Sequence, residues 1–224
     1  VPTTQRAIEV ICWGFVLLRI LRGMHMPRID PPAIDSLPDD LAKVMRGAEE
    51  YMGFIANDGL AMAYKPEYLR TAGPLMQAIY KDDKVSFELK RLIGMMSSGA
   101  AGCQYCVAHT AHGAAKLGIA EEKIAALPSF ETSPLFDDAE RAALRVARGA
   151  GQVPNGVTDA EFADLKQHYS LEQVVEIVGV IAMFGFLNRW NATLATELES
   201  SPLQFAQRAL KGTGWSAGVH ASKA

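Results

Sequence analysis

The sequence predicts an all-α fold, because apolar residues recur at three- and four-residue spacing and residues that cap helices precede most of these segments. No segment alternates apolar and polar residues around a hairpin turn, the pattern typical of a half-buried strand. The 224 residues are 49% hydrophobic and 21% charged, a globular composition in a chain long enough to fold without a metal or a disulfide. We expect a single helical domain over residues 26–224, preceded by a loosely attached leader over residues 1–25.

The expected helices follow from caps and breakers in chain order. Asp39 and Asp40 can cap a first helix that extends to about Asn57, and Pro66 suits the first turn of a second helix that ends near Tyr80. The later helices are expected over residues 86–99, 103–117, 120–127, 137–147, 158–169 and 170–199, with a short last helix from residue 202. The breaks between them do not resemble interdomain linkers, which is why one domain is expected.

Charge and hydropathy exclude several classes of partner. The apolar runs over residues 10–18 and 177–187 are bounded by charged residues and fall short of the roughly 20 residues that a membrane span takes. We interpret the second run as a buried core helix. A net charge of −3 at pH 7 lacks the basic excess of nucleic-acid-binding proteins, and three cysteines are too few for a disulfide scaffold. We therefore expect a cytoplasmic protein with neither a membrane nor a nucleic-acid partner.

Two of the three cysteines and two of the five histidines lie within residues 103–112. A zinc site is one interpretation, because the spacing C-x2-C-x2-H-x2-H holds residue types that zinc binds. On a single helix, however, Cys103 and His112 are about 13–14 Å apart along the axis and point to opposite sides. Four such ligands cannot converge on one ion, so we expect no metal.

Two interpretations of the cysteines remain, as small apolar core residues or as a redox dithiol. Cysteines three residues apart at a helix start face the same side, and rotamer changes can join their sulfurs. The helix N-terminus lowers the pKa of a thiol, that of Cys103 most of all, and His109 can take the proton of Cys106 from one turn away. No acidic residue lies in residues 103–119 to oppose a thiolate, so the redox interpretation is favoured.

Three stretches resemble the carboxymuconolactone decarboxylase superfamily and, within it, the alkylhydroperoxidase D (AhpD)-like, peroxidase-related branch. They are ELKRLIGMMSSGAAGCQYCVAHTAHGAAKLGIAEEKIAAL (residues 88–127), FETSPLFDDAERAAL (130–144) and FGFLNRWNATLATELE (184–199). The resemblance spans about residues 30–210. It implies an AhpD-like helical domain with the CxxC at the start of a buried helix, homo-oligomers such as trimers or hexamers, no cofactor, and dithiol-dependent reduction of hydroperoxides.

The resemblance also implies the roles of the two cysteines. Cys106 attacks a small hydroperoxide as a thiolate and becomes a sulfenic acid, Cys103 resolves it to a disulfide, and an external dithiol reductant reopens that bond. The family's histidine commonly lies at the position of Thr110, but many members carry it one position earlier, where this chain has His109.

The proton relay departs from the family pattern. The family's glutamate, typically twelve residues before the first cysteine, falls on Arg91, which is always charged and cannot act as a base. Glu88, one turn earlier, is the expected substitute, so the expected catalytic residues are Cys106, Cys103, His109 and Glu88. Arg91 itself lies either on a solvated helix face or against a thiolate or anionic ligand.

Several alternatives stay open at this stage. The cysteines are inert if the protein is a non-redox, decarboxylase-like acid–base enzyme, and a non-enzymatic oligomeric partner of a redox system is also compatible with the sequence. Tyr105 is expected to be exposed, to line the pocket or to pack in the core, and His112 to be a second base or a polar residue near the pocket mouth. The remaining histidines are expected at the surface: His25, His168 and His220.

Overall fold

The computed structural model describes residues 27–221, and their regular structure is helical throughout, as the sequence predicts. The α-helices of this range are α1 (Asp39–Met52), α2 (Asn57–Met62), α3 (Pro66–Tyr80), α4 (Phe87–Ala100), α5 (Gln104–Lys116), α6 (Glu121–Ala125), α7 (Asp138–Gly151), α8 (Asp159–His168), α9 (Leu171–Leu194) and α10 (Ser200–Ala209). Short 3-10 helices cover Ile34–Ser36, Leu127–Ser129 and Gly218–His220. The expected leader, including Cys12 and His25, lies outside the described residues.

Side-chain caps determine where several helices begin. In a capping box, the side chain of the residue before the helix accepts a hydrogen bond from the backbone N–H three residues later. The side chain of that later residue accepts a hydrogen bond from the backbone N–H of the first. Such boxes open α7, α8 and α9, through Asp137 with Glu140, Thr158 with Glu161, and Ser170 with Gln173. Ser86 caps α4 by accepting a 3.2 Å hydrogen bond from the N–H of Leu89. These capping residues can be recognised in the sequence, which is why the predicted starts of these helices agree with the structure.

The first helix ends earlier than the expected position near Asn57. α1 ends at Met52, and Gly53 closes it in the left-handed conformation, with φ 85°, which glycine adopts without a steric penalty. A new helix, α2, then starts at Asn57. The break turns Asn57 and Asp58 away from α1 and toward α5.

The end of the longest helix also differs from the expectation. α9 stops at Leu194, because Ala195 takes the left-handed conformation with φ 51° and its N–H donates to the carbonyl of Asn191. Glu199, expected within the long helix, is instead the residue that precedes α10. A left-handed alanine carries no sequence signal comparable to a glycine, so this break was not predicted.

α4 lies at the centre of the fold and packs against α5, α7 and α9. At the crossing with α9, Gly94 meets the ring of Phe184 so closely that a Cβ would lie 2.2 Å from the ring carbon Cε2. Lys90, only 1% exposed, places its Nζ 2.8 Å from Oε2 of Glu176 on α9 and donates to the carbonyl of Lys81 at 2.5 Å. Close packing and this buried ion pair hold α4 against α9, immediately before the loop that carries the cysteines.

Among the described residues, α9 is the one helix that passes the length and apolarity test for a membrane span. Its inner face is buried in the core, where Ile177, Val180 and Phe184 are at most 4% exposed. The prediction of a buried core helix is therefore correct for this face only, because Leu171, Val175, Val178 and Phe186 on the same helix are exposed.

We expect Gly94→Ala to lower the free energy of unfolding by about 1–3 kcal/mol, because overpacking a close helix crossing forces side chains and backbone apart. The added methyl group would meet three atoms of the Phe184 ring within 2.8 Å. Urea denaturation followed by circular dichroism measures the change.

Gly47→Ala in α1 is the matched control. No atom lies within 4 Å of a Cβ built at Gly47, so the better helix propensity of alanine should raise the stability by up to about 1 kcal/mol. A Gly94→Ala protein as stable as the wild type would contradict the packing described for α4 and α9.

Candidate functional site

The two cysteines lie where α4 turns into α5. Gly102, with φ 75°, reverses the chain, and Cys103 becomes the N-cap residue of α5 with its N–H bonded to the carbonyl of Ser98 at 3.0 Å. Cys106 follows in the first turn of the helix. Both are free thiols, with only 1% and 3% of their surface exposed. The helix start therefore holds a reduced and buried sulfur pair.

One proton is shared unequally between these sulfurs. The hydrogen bond from the Cys106 thiol lowers the pKa of Cys103 to about 5 against the opposing effect of burial, and His220 and the backbone N–H of Cys106 act in the same direction as the thiol. Burial, together with the bond to Cys103, raises the pKa of Cys106 well above its usual range. The surroundings of the pair therefore favour the negative charge on Cys103 and the proton on Cys106.

His220 contributes to this arrangement, so its expected surface position is wrong. It is 2% exposed, its Nδ1 lies 2.8 Å from the carbonyl oxygen of Thr196, and its ring centroid is 5.8 Å from that of Tyr105. The last 3-10 helix folds it back over the start of α5. No local pattern predicts this contact, because His220 is more than a hundred residues from Cys103 in the chain.

His109 is paired with a carboxylate that the sequence analysis did not select. Its Nε2 lies 2.5 Å from Oε2 of Glu199. The other oxygen, Oε1, accepts hydrogen bonds from the Tyr105 hydroxyl at 2.8 Å and from the N–H of Asn57 at 2.6 Å. Tyr105, which lies between the two cysteines in sequence, is buried. Its ring stacks on that of His109, with the two ring centroids 4.2 Å apart.

His109 and Glu199 each stabilise the charged form of the other. Burial alone would lower the pKa of His109, but the charge of Glu199 outweighs it and raises that pKa above its ordinary value. Burial likewise opposes ionisation of Glu199, and the charge of His109 nevertheless holds the pKa of the carboxyl below its ordinary value. A hydrogen-bonded histidine–carboxylate pair, in which each group favours the charged form of the other, thus lies one helical turn from Cys106.

A second carboxyl approaches Cys106 from α2 through an asparagine. Nδ2 of Asn191 lies 3.5 Å from Sγ of Cys106 and 3.3 Å from Oδ2 of Asp58. Burial raises the pKa of Asp58, and the charge of Glu199 adds to that effect while His109 opposes it. The surroundings of the two carboxyls therefore shift their pKa values in opposite directions, down for Glu199 and up for Asp58, a division typical of acid–base sites.

The structure does not bring Glu88 to this site. Glu88 is exposed in the first turn of α4, and no hydrogen bond or ion pair joins it to His109 within residues 27–221. Glu199 occupies the place beside His109 that was expected for Glu88. Glu199 does lie in the last stretch quoted for the family resemblance, whereas Asp58 has no comparable sequence signal.

Two other residues singled out in the sequence lie on the far side of His109. His112 is half-buried between the rings of Phe54 and Phe205, each 5.8 Å away, and burial lowers its pKa. Arg91 packs against the rings of Tyr80 and Phe87 and is not on a fully solvated face. Within residues 27–221, no group of three or more His, Cys, Asp or Glu is arranged to hold a metal ion.

Comparison with known families gives one match in the central part of the chain. Residues 66–149 match the model of the carboxymuconolactone decarboxylase family. This range includes both cysteines of the CxxC and His109 but not Glu199 or Asp58. A curated relative, the uncharacterized protein YnjA of Escherichia coli, is 30% identical over 92 residues, or 41% of this chain, and the matched part is 50% of YnjA. The chain thus spans about half the length of that relative.

Solved structures extend the similarity to most of the chain. The debrominase Bmp8, solved alone and as a cysteine-to-alanine variant with 2,3,4-tribromopyrrole, is 35% identical, with a TM-score of 0.76 over 81% of this chain and at least 96% of its own. An uncharacterized peroxidase-related protein with an alkylhydroperoxidase AhpD core, from Ralstonia eutropha JMP134, is 26% identical, with a TM-score of 0.68 over 82% of this chain and 96% of its own.

We expect the reduced protein to carry one thiolate at pH 7 and to lose it as the pH falls through about 5, the pKa of Cys103. Thiolate absorbance in the ultraviolet, followed against pH, measures this transition. Cys106→Ala should raise the midpoint, because it removes the main hydrogen-bond donor to Cys103. Cys103→Ser should leave no thiolate at pH 7, and a thiolate in that variant would contradict the unequal sharing.

We expect Glu199→Gln to lower the pKa of His109, because the neutral amide no longer offsets the burial of the imidazole. The titration of the His109 ring in nuclear magnetic resonance spectra measures the shift. Glu88→Gln, which neutralises an exposed carboxylate, is the matched control and should leave that titration unchanged. A shift in the control alone would return the relay role to Glu88.

Proposed function

The chain belongs to the carboxymuconolactone decarboxylase superfamily, in its AhpD-like branch, and from that premise we propose that it is a dithiol oxidoreductase that reduces hydroperoxides. In this proposal Cys103 and Cys106 alternate between a dithiol and a disulfide. The reducing equivalents come from an external dithiol in the cytoplasm, a compartment that keeps thiols reduced.

One observation carries the proposal, the buried pair of free cysteines at the start of α5, whose surroundings favour a negative charge on Cys103. A pair of structural cysteines has no need of a thiolate, since burying a charge is costly unless it is compensated. Here Cys106, His220 and the helix N-terminus all compensate the charge on Cys103. Thiolate character is the property that makes a cysteine reactive.

The proposed reaction starts with a proton transfer within the pair. The Cys106 proton passes to the Cys103 thiolate, and the Cys106 thiolate attacks the terminal oxygen of the hydroperoxide. The O–O bond breaks, Cys106 becomes a sulfenic acid, and the alkoxide leaving group takes a proton from the His109 imidazolium. Cys103 then attacks the sulfenic sulfur, a disulfide forms, and the hydroxide leaves as water with the proton of Cys103.

The surrounding groups support these steps in distinct ways. Glu199 stabilises the imidazolium of His109, so a proton is in place for the leaving group. Asn191 donates to Sγ of Cys106 and thereby stabilises a thiolate there once the proton has moved to Cys103. The two cysteines face the same side of one helical turn, so rotamer changes suffice to form the disulfide.

Reductive dehalogenation is a second candidate function, because the debrominase is more similar in sequence, at 35% identity, than the peroxidase-related protein at 26%. The same dithiol balances that reaction. An aryl halide and two thiols give the arene, a disulfide and a hydrogen halide, with one proton replacing the halogen on carbon. Both candidates use Cys103 and Cys106, and they differ in the oxidant that the site accepts.

We expect Cys106→Ser to reduce the rate of peroxide consumption by about a thousandfold or more, since it removes the nucleophile. Cys103→Ser should react only once with peroxide, and more slowly than the wild type, because it lacks the thiolate that takes the Cys106 proton. It should retain a sulfenic acid at Cys106, because nothing resolves it. Trapping with dimedone followed by mass spectrometry identifies the modified residue. Dimedone on Cys103 of the Cys106→Ser protein would reverse the assigned roles.

The same proteins separate the alternatives. Bromide release from a brominated pyrrole by reduced wild type, without consumption of peroxide, would replace the first candidate by the second. An acid–base decarboxylase would keep its activity in Cys106→Ser and lose it in His109→Gln, which would contradict both dithiol reactions.

A further inference from the structure

Arg91 is a cation near the cysteine pair that the proposed reaction leaves without a role. It is partly buried in α4, its Nε is shielded from solvent without a hydrogen-bond partner, and no carboxylate of residues 27–221 forms an ion pair with it. A guanidinium stays charged at every physiological pH, and a partly desolvated charge is costly unless an opposite charge is near. An anion from outside the described chain would satisfy it.

The surroundings of Arg91 are aromatic and leave room for its planar head. Its Cζ lies 4.5 Å from the ring centroid of Tyr80 and 5.0 Å from that of Phe87. A Cβ at Gly113 of α5 would lie 3.0 Å from Cζ, so the glycine permits this close approach. The Tyr80 hydroxyl is also buried, which raises its pKa to about 12, and the charge of the Arg91 guanidinium beside it opposes that rise.

Arg91 and Tyr80 also interact electrostatically with charged groups of the site. The charge of an ionised Cys106 acts on Tyr80, as does that of Arg91, so the pair lies within electrostatic range of Cys106. Burial first, and then the charges of Lys116, His109 and Arg91, lowers the pKa of His112. All of those charges are cationic. Lys116, His109 and Arg91 thus lie near this side of α5, and Glu199 opposes the charge of His109.

An apolar wall continues from this position toward the exposed surface. The ring of Tyr51, which is 48% exposed, lies 6.3 Å from that of Phe87, and the ring of Phe54 lies 5.1 Å from His109. Arginine with stacked rings suits a ligand that combines a planar anionic group with apolar surface.

We propose that Arg91, with Tyr80, Phe87 and Tyr51, binds the carboxylate of an apolar organic substrate and so directs its reacting group toward Cys106. This inference rests on the proposed function for the identity of the reacting group, while the carboxylate site stands on its own geometry. The substrate class is then a hydroperoxide that bears a carboxylate, in place of hydrogen peroxide alone.

Binding tests the site without any redox chemistry. Reduced full-length protein is titrated with phenylacetate and with its uncharged methyl ester, and calorimetry measures both affinities. We expect the carboxylate to bind at least about tenfold more tightly than the ester, and Arg91→Gln to remove that difference. Arg46→Gln, which changes an exposed arginine of α1 that forms an ion pair with Asp35, should preserve the difference in affinity between the acid and the ester. Equal affinities for acid and ester in the wild type would overturn the proposal.

Kinetics then joins the site to the reaction. With a fatty-acid hydroperoxide, Arg91→Gln should raise KM at least about tenfold more than it raises KM for the methyl ester, with little difference between the two substrates in its effect on kcat. Arg91→Lys keeps the charge but loses the planar guanidinium, so its KM for the acid should lie between that of the wild type and that of Arg91→Gln. This variant remains informative if the glutamine variant folds poorly. Equal effects on acid and ester would overturn the inference. Loss of phenylacetate binding in Arg91→Gln, with no peroxide turnover by the wild type, would refute the proposed function and keep the site.

Discussion

A proton held between two sulfurs at the start of α5 is the interaction on which the rest of the site depends. Because Cys103 stands at the N-cap, the helix N-terminus and the Cys106 thiol can stabilise its negative charge together. The close packing of α4 against α9 holds the loop that makes this contact. Charge on one sulfur and a proton on the other are what make a dithiol ready to react while it is enclosed by protein.

Two carboxyl groups near the sulfurs reach the site because two helices end shortly before them in the chain. Gly53 ends α1 and lets α2 carry Asp58 inward, and Ala195 ends α9 and places Glu199 beside His109. Both breaks use the left-handed conformation, which costs an alanine more than a glycine. A strained residue retained between the core helix and a site carboxylate is consistent with a functional constraint on that turn.

Charge is divided between the two sides of α5. Toward α10 and α2, His109 meets two carboxyls, and their surroundings lower the pKa of Glu199 and raise that of Asp58. From α4, the charge of Arg91 acts on the same histidine and opposes the rise in its pKa.

The sequence by itself determined the helical class, the capped starts of α4, α7, α8 and α9, and the position of the CxxC and His109 on one helix, because these features depend on residues within one or two turns of each other. Only the tertiary structure decided that Glu199 and not Glu88 pairs with His109, that His220 is buried near Cys103, and that Asp58 reaches Cys106 through Asn191. Each of those contacts joins residues far apart in the chain. Helix spacing contains no information about which distant side chain fills the space beside a given turn, since that depends on how the helices pack and where they break.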